Sequence, residues 1–384
     1  MQLIETSSDL KKLCAELAKM PFVCVDLEFL REHTYFAQLC LIQIATENTA
    51  AIVDPLAKDI NLQPFFDLMQ NPAIIKVFHS GRQDIELIFQ LGHCIPSPLF
   101  DTQIAASAIG LGDSISYEHL VKYFLNIALD KSSRLSDWSK RPLTAEQVEY
   151  AAGDVTHLAK IYPLITQKLQ ALNRTCWIDD ELQTLSNPDL YQINPREIWL
   201  KLRHRSHNPK FLTLLRELAC WRENRAITKN TPRQSLIKDD LLLNICAAHP
   251  TTKNDLAAVR GMRGDLAKGK VGDEIIDVVN KFNLIDKQNY VTISNDDAFS
   301  GANSVLLELL RIILRIVAAQ HNVAARLIAS DDELKLYCTS ADADIKFMHD
   351  WRYEIFGKLV EQISSGTTAI AYNADKKIIE LRPL

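Results

Sequence analysis

Apolar runs of the strand type crowd into the first hundred residues of this chain, and beyond about Ser186 they nearly vanish. Such a partition predicts an α/β domain followed by helical ones. "LIETSSDLKKLCAELAK" opens with a short strand and continues as a helix, with Ser7 or Ser8 near its cap. "FVCVDLEF", "AQLCLIQIAT" and "TAAIVDPL" follow as three strands whose short turns suit an antiparallel meander. "NLQPFFDLMQN" reads as a short helix and "AIIKVFHS" as another buried strand. After Ser80 the period changes, because Ile85, Ile88 and Leu91 recur at helical spacing. Ser80 with Gln83 forms a capping-box pattern, which predicts that this helix starts at Ser80. From Asp101 to about residue 175 the periodicity is helical.

The helical remainder contains an internal repeat. Asp239, Asp240, Leu242 and Cys246 recur 92 positions later as Asp331, Asp332, Leu334 and Cys338, each copy following a helix with "LLR". That spacing predicts two tandem small helical domains, residues 196–284 and 300–384, joined by the polar "SNDDAFSGANS". Charge separates the two copies. Arg196 to Lys270 holds 16 Lys/Arg against 7 Asp/Glu, while the rest of the chain holds 27 against 41. The segment 300–384 has 10 against 11. A basic block on an acidic chain is the footprint of a phosphate-binding surface, and equally of a solvated charged face.

Chemistry is suggested first by "PFVCVDLEFL". Alternate residues of a strand share a face, so Asp26 and Glu28 present two carboxylates together while Val25 and Leu27 point the other way. Two buried like charges repel unless one is protonated or a cation lies between them. All-oxygen ligation favours Mg²⁺ or Mn²⁺ over zinc, although a half-exposed strand with a polar face gives the same pattern. Asp84 falls in the first turn of the next helix, where the helix dipole alone would favour it. Tyr150 and Asp154, four apart in "LTAEQVEYAAGDVTHL", share one helix face. Thr144 caps that helix with Gln147 closing the box, and Ala151, Ala152 and Gly153 leave room for close approach.

The order D-x-E, then D, then Y-x3-D resembles the DEDD 3′→5′ exonucleases in their tyrosine branch, and within it the ribonuclease D family. The words carrying the resemblance are "FVCVDLEF", "TYFAQLCLIQIA", "KVFHSGRQDIEL", "DTQIAA", "LDKS", "SDW" and "RPLTAEQVEYAAGDV". The histidine branch would place His five residues before the last Asp, where this chain has Glu149. "LACWRENRA" and "DLAAVRGM" resemble the helicase-and-RNase-D C-terminal (HRDC) domain. The resemblance implies an α/β ribonuclease-H-like exonuclease domain over residues 1–175, a mixed sheet flanked by helices, followed by two all-α HRDC-like domains. It also implies two divalent metal ions, Mg²⁺ or Mn²⁺, ~4 Å apart. Asp26 would bridge both ions, and Glu28 and Asp154 would complete the site of the one that activates water. Asp84 would act on the second, and Tyr150 would orient the water. Leu27, Tyr35, Phe36, Gln38 and Gln103 are candidates for touching the substrate's terminal nucleotides. Lys131, Ser132, Trp138 and Arg141 lie in a loop the family shares and are candidates for holding the scissile strand. His79 reads as a strand-end hydrogen bonder and a further candidate contact. Arg222, Arg225 and Lys229, in the basic stretch with Trp221 and Arg233, are candidates for phosphate contact.

The expected activity is therefore 3′→5′ exoribonucleolysis that releases 5′-mononucleotides from RNA with a free 3′ end, tRNA precursors included. The alternative is a 3′→5′ DNA exonuclease of repair or proofreading. A non-enzymatic nucleic-acid-binding module would not need all four acids and the tyrosine. No apolar run reaches the ~20 residues of a membrane span, and the N-terminus lacks a secretory pattern. The eight cysteines form no CxxC pair and mostly lie in apolar runs, which predicts buried thiols and a cytoplasmic location; a monomer is the expected state.

Overall fold

The structure, a computed structural model, describes residues 2–129, 136–292, 302–340, 343–375 and 378–384. The chain divides into two compact units. The first comprises Met1–Glu28, Leu39–Tyr191 and Asp296–Leu384, and the second Phe29–Gln38 and Gln192–Asn295.

The first unit is built on strands β1 (Gln2–Ile4), β2 (Phe22–Leu30), β3 (Gln38–Ala45), β4 (Ala50–Val53), β5 (Ile75–Phe78) and β6 (Leu99–Asp101). Their order in the sheet is β1-β4-β3-β2-β5-β6. β3 and β4 pair antiparallel, whereas β1 with β4, β2 with β5 and β5 with β6 pair parallel, so the sheet is mixed. Helices α1 (Ser7–Leu17), α2 (Gln63–Gln70), α3 (Arg82–Gly92), α4 (Thr102–Ala108), α5 (Tyr117–Leu125), α6 (Ala145–Ala171) and α7 (Asp179–Leu185) are interleaved with the strands or follow them. β2 is an inner strand, which is why Val23, Cys24 and Val25 are buried. β5 pairs with β2 only from Phe22 to Cys24. The rest of β2 runs past the end of β5, and parallel β2, β5 and β6 thus deliver their carboxyl ends to one edge of the sheet. Ligand crevices of open α/β sheets lie at such edges.

At that edge the Asp101 carboxylate accepts hydrogen bonds from four backbone N–H groups. Gln103 (2.7 Å) and Ile104 (3.3 Å) belong to the start of α4, and Ser80 (3.2 Å) and Gly81 (2.8 Å) to the turn before α3. The predicted Ser80–Gln83 capping box does not form. Ser80 takes a left-handed φ of 57°, Gly81 is the N-cap without any side-chain bond, and α3 begins at Arg82. A charged acceptor reaching across from β6 has displaced the local serine hydroxyl. A Cβ on Gly81 would come within 2.5 Å of the Phe78 Cβ, so the turn closes only with glycine there. By contrast the Thr144–Gln147 box is present at the start of α6, and α1 is capped by Thr6 ahead of the predicted serines.

The chain returns to the first unit after the second. Helices α8 (Pro209–Lys229), α9 (Arg233–Leu236), α10 (Asp239–Ala248), α11 (Lys253–Ala257), α12 (Gly264–Lys268) and α13 (Lys270–Phe282) build the second unit. Leu212, Leu215, Leu218, Leu242, Ile245, Leu256, Ile275 and Val279 fill its core. Helices α14 (Ala302–His321), α15 (Ala325–Ile328), α16 (Asp331–Thr339), α17 (Asp350–Arg352) and α18 (Lys358–Ser364) follow in the first unit. The repeated aspartates open α10 and α16, each preceded by a long helix and a four-residue one. The two copies diverge after that point. Residues 300–384, expected to be all-α, end in an antiparallel hairpin of β7 (Thr368–Asn373) and β8 (Ile378–Pro383). The expectation came from the repeat, which stops at Cys338; "TAIAYN" lies beyond it and alternates with strand period.

The C-terminal helices share one hydrophobic core with the exonuclease-like part: Leu310, Ile313, Val317 and Phe356 cluster with Ala105, Ile109, Leu158 and Ile165. Trp177 and Trp351 stack at 4.0 Å with planes 6° apart, with Arg174 and Arg352 over the outer faces. Arg174 also donates to the Ala108, His321 and Asn322 carbonyls, closing the end of α14. Among the described residues no helix is long and apolar enough to cross a membrane. All eight cysteines are free, five of them buried. Asp101→Ala would strand the four N–H groups it serves. Urea denaturation is expected to show a loss of about 2–4 kcal/mol, and a change below ~0.5 kcal/mol would contradict this account of the α3 turn.

Candidate active site

Three of the predicted carboxylates meet. Asp26, Glu28 and Asp154 each offer an oxygen, and these atoms lie within 4.8 Å of one another. β2 supplies the first two from alternate positions, and α6 supplies the third. Asp84 sits in the first turn of α3, buried at 7% exposure. It is close enough to Asp26 and Glu28 to feel both charges. Burial pushes Asp26 up to about 7. Burial and then the Asp26 charge push Glu28 up to about 8. Asp154 rises to about 9 through burial and then Asp26 and Glu28. Asp84 is raised well above the usual carboxylate range by burial first, then by Asp26, Glu28 and Asp101. Low-dielectric surroundings and mutual repulsion act in the same direction. Hard divalent cations are the partners such an all-oxygen donor set fits.

Tyr150 lies one turn before Asp154 on α6, its ring 5.9 Å from that of Trp138. Trp138 is buried at 2% exposure, so it backs Tyr150 rather than facing a scissile strand. A Cβ on Gly153 would meet only His157, at 3.6 Å, which leaves this stretch of α6 open. One contributor escapes sequence reasoning. The Tyr117 hydroxyl donates to the Gly153 (3.0 Å) and Asp154 carbonyls and pins the backbone that carries Asp154. Nothing local to "SYEHL" signals this, because its partner is 37 residues away.

Other predicted residues go elsewhere. Lys131 and Ser132 lie outside the described residues. Arg141 is not available to a substrate strand. It grips the Asp54 carboxylate through two bonds (2.6 and 2.7 Å) and donates to the Cys40, Trp138 and Lys140 carbonyls. Arg222 is fully buried on α8, donating to the Ile237 carbonyl and paired with Asp239 at 2.8 Å, so it cannot contact phosphate from solvent. Arg225 pairs with Glu274, which Trp221 Nε1 also approaches at 3.1 Å. Lys229 is exposed in the last turn of α8. Tyr35, Phe36 and Gln38 belong to the second unit. There the Tyr35 hydroxyl donates to the buried Glu223, and the Phe36 N–H to Asn230 Oδ1 (3.0 Å). His79 Nδ1 bonds Thr102 Oγ1 at 3.0 Å, as a strand-end hydrogen bonder would. Gln103 donates to the Ile115 carbonyl (3.0 Å), and Leu27 is buried.

Residues 1–170 match the family model described as 3′-5′ exonuclease, and residues 211–279 match that of the HRDC domain. The chain is 40% identical to ribonuclease D of Bartonella henselae over 95% of this chain and 90% of that one. It is 39% identical to ribonuclease D of Nitrobacter hamburgensis over 97% of each. The crystal structure of Escherichia coli RNase D, an exoribonuclease involved in structured RNA processing, has the same fold. Its TM-score is 0.82 at 24% identity, over 95% of this chain and 98% of that one.

Two outcomes follow from the geometry. The raised carboxylates hold protons in the folded, metal-free protein that the unfolded chain releases near its ordinary carboxylate values. Metal-free stability should therefore fall as pH rises from ~4 to ~9, with added Mg²⁺ or Mn²⁺ raising Tm most at the alkaline end. Asp26→Asn should flatten that slope; an unchanged slope, or no shift in Tm with either ion, would contradict the assignment. Arg141→Met leaves Asp54 buried without its partner and should cost about 3 kcal/mol in urea denaturation without changing RNA affinity.

Proposed function

Because the chain belongs to the ribonuclease D family and is a 3′→5′ exoribonuclease, we propose that Asp26, Glu28, Asp84 and Asp154 are its metal ligands and Tyr150 its water-orienting residue. Its substrates on this reading are structured RNAs with a free 3′ end, tRNA precursors among them, and its products 5′-mononucleotides. The convergence of Asp26, Glu28 and Asp154 within 4.8 Å is the observation that supports this best. When bound, two Mg²⁺ or Mn²⁺ ions would lower the pKa of water and offset the charge that builds on the phosphate and on the departing 3′ oxygen.

The chain's own residues supply position. β2 is an inner strand and holds Asp26 and Glu28 at fixed spacing on one face. α6 brings Asp154 to them, its backbone fixed there by Tyr117. Asp84 approaches from the start of α3, a position set by Asp101. The Tyr150 hydroxyl acts by orienting the attacking water. The water oxygen bonds to phosphorus as the bond to the neighbouring 3′ oxygen breaks, and the released nucleotide keeps the phosphate.

Residues 1–175 form the catalytic domain in this scheme, 196–284 a first HRDC-like domain that touches RNA through exposed cations such as Lys229, and 300–384 a diverged second copy. The enzyme acts as a cytoplasmic monomer. Asp26→Asn and Asp154→Asn should each slow nucleotide release from 3′-labelled RNA by ~10³-fold or more while leaving RNA binding intact. Tyr150→Phe should cost ~10²-fold. Wild-type rates in either aspartate variant would sink the assignment. Faster digestion of matched DNA than of RNA would overturn the substrate class.

A further inference from the structure

A cavity of about 300 Å³ opens in the first unit among the start of α3, α4, α7 and α15, and its lining includes none of Asp26, Glu28, Asp84, Tyr150 and Asp154. Arg82, the first residue of α3, and Arg326, on α15, both line it. Both residues are exposed, and among the described residues neither guanidinium has an ion-pair or hydrogen-bond partner. Three acids line the cavity too, but each is already engaged. Asp101 accepts four backbone N–H groups. Asp113 accepts the Arg326 N–H (3.1 Å). Glu181 lies between Lys346 (3.6 Å) and Arg352 (3.5 Å). Arg82 and Arg326 thus bring to the cavity two planar forks suited to phosphate oxygens, beside the charges of Asp101 and Asp113. Ile104, Leu185, Leu190 and Leu327 give the cavity an apolar wall.

We propose that this cavity is a binding site for a nucleoside monophosphate, with Arg82 and Arg326 on the phosphate and the leucine-lined wall against the nucleoside. The volume is at the small end of ligand sites, where a single nucleotide fits and an oligonucleotide does not. Apolar lining with a few convergent polar groups is the usual make-up of such a site. Because Arg82 opens the helix that carries Asp84 and Arg326 lies in the C-terminal helices, a bound nucleotide would tie together two parts of the unit 244 residues apart in sequence. The inference rests on the cavity and not on the hydrolytic assignment.

Calorimetric titration of the full-length protein, stripped of metal with a chelator, separates the two. Without metal the carboxylate cluster has no cation with which to hold a phosphate. AMP is expected to bind at one saturable site, and adenosine, lacking the phosphate, at least ~10-fold more weakly. Arg326→Glu and Arg82→Glu should each weaken AMP at least ~10-fold, and Arg326→Gln should do so should the glutamate variant fail to fold. Arg326→Gln should release nucleotides from RNA at the wild-type rate when no AMP is added. No saturable binding up to ~10 mM AMP, adenosine bound as tightly as AMP, or unchanged affinity in the folded arginine variants would each overturn the site. None of these results bears on whether Asp26 and Asp154 are needed for nucleotide release.

Discussion

Holding like charges together in a half-buried crevice is costly, and much of the first unit is arranged to enforce it. Asp26 and Glu28 cannot move apart, because β2 is hydrogen-bonded between two neighbours and its pleat fixes alternate side chains on one face. Asp154 cannot retreat, because the Tyr117 hydroxyl holds its backbone carbonyl. The start of α3, and with it Asp84, is tied to β6 by the Asp101 carboxylate. Repulsion that a flexible chain would relieve by moving is relieved instead by protonation or by cations. Burial alone raises Asp26 to about 7, and burial first, then the neighbouring charges, raises Glu28 to about 8 and Asp154 to about 9.

Supporting residues turn out to be as specific as the acids. Trp138 backs the Tyr150 ring, and Arg141 closes its own loop onto Asp54 and the Cys40 carbonyl of β3. The loop that follows the undescribed segment is thus fastened to the sheet by one guanidinium that uses its donors on protein acceptors. Its tryptophan then presents a flat surface to the tyrosine. Arginine is suited to this because its fork can satisfy a carboxylate and several carbonyls at once.

What was legible in the sequence was what is local. The spacing of two in Asp26 and Glu28, the spacing of four in Tyr150 and Asp154, and the Thr144–Gln147 box are set by backbone periodicity, and the structure keeps all three relations. What was not legible depends on partners distant in the chain. The Ser80–Gln83 pattern was sound as a motif, but Asp101 arrives from twenty residues on and takes the N–H groups. Arg222 looks basic and therefore exposed, yet it is buried against Asp239 and the Ile237 carbonyl. Tyr35 and Phe36, placed by resemblance beside a substrate, are engaged with Glu223 and Asn230. The C-terminal hairpin was hidden by a repeat that ends before it.

The stacked pair Trp177 and Trp351, with Arg174 and Arg352 over its two faces, has a consequence for how the polypeptide comes into being. Half of that stack comes from a segment made long after the exonuclease part, and so do Leu310, Ile313 and Val317, which cluster with Ile109 and Leu158. A ribosome that has finished only the exonuclease part has emitted a surface lacking its lid. Helices α14 to α18 are therefore not an appendage that a gene could lose cheaply. Until they emerge, the nascent enzyme exposes apolar side chains of the kind chaperones bind, and its maturation waits on the synthesis of these helices.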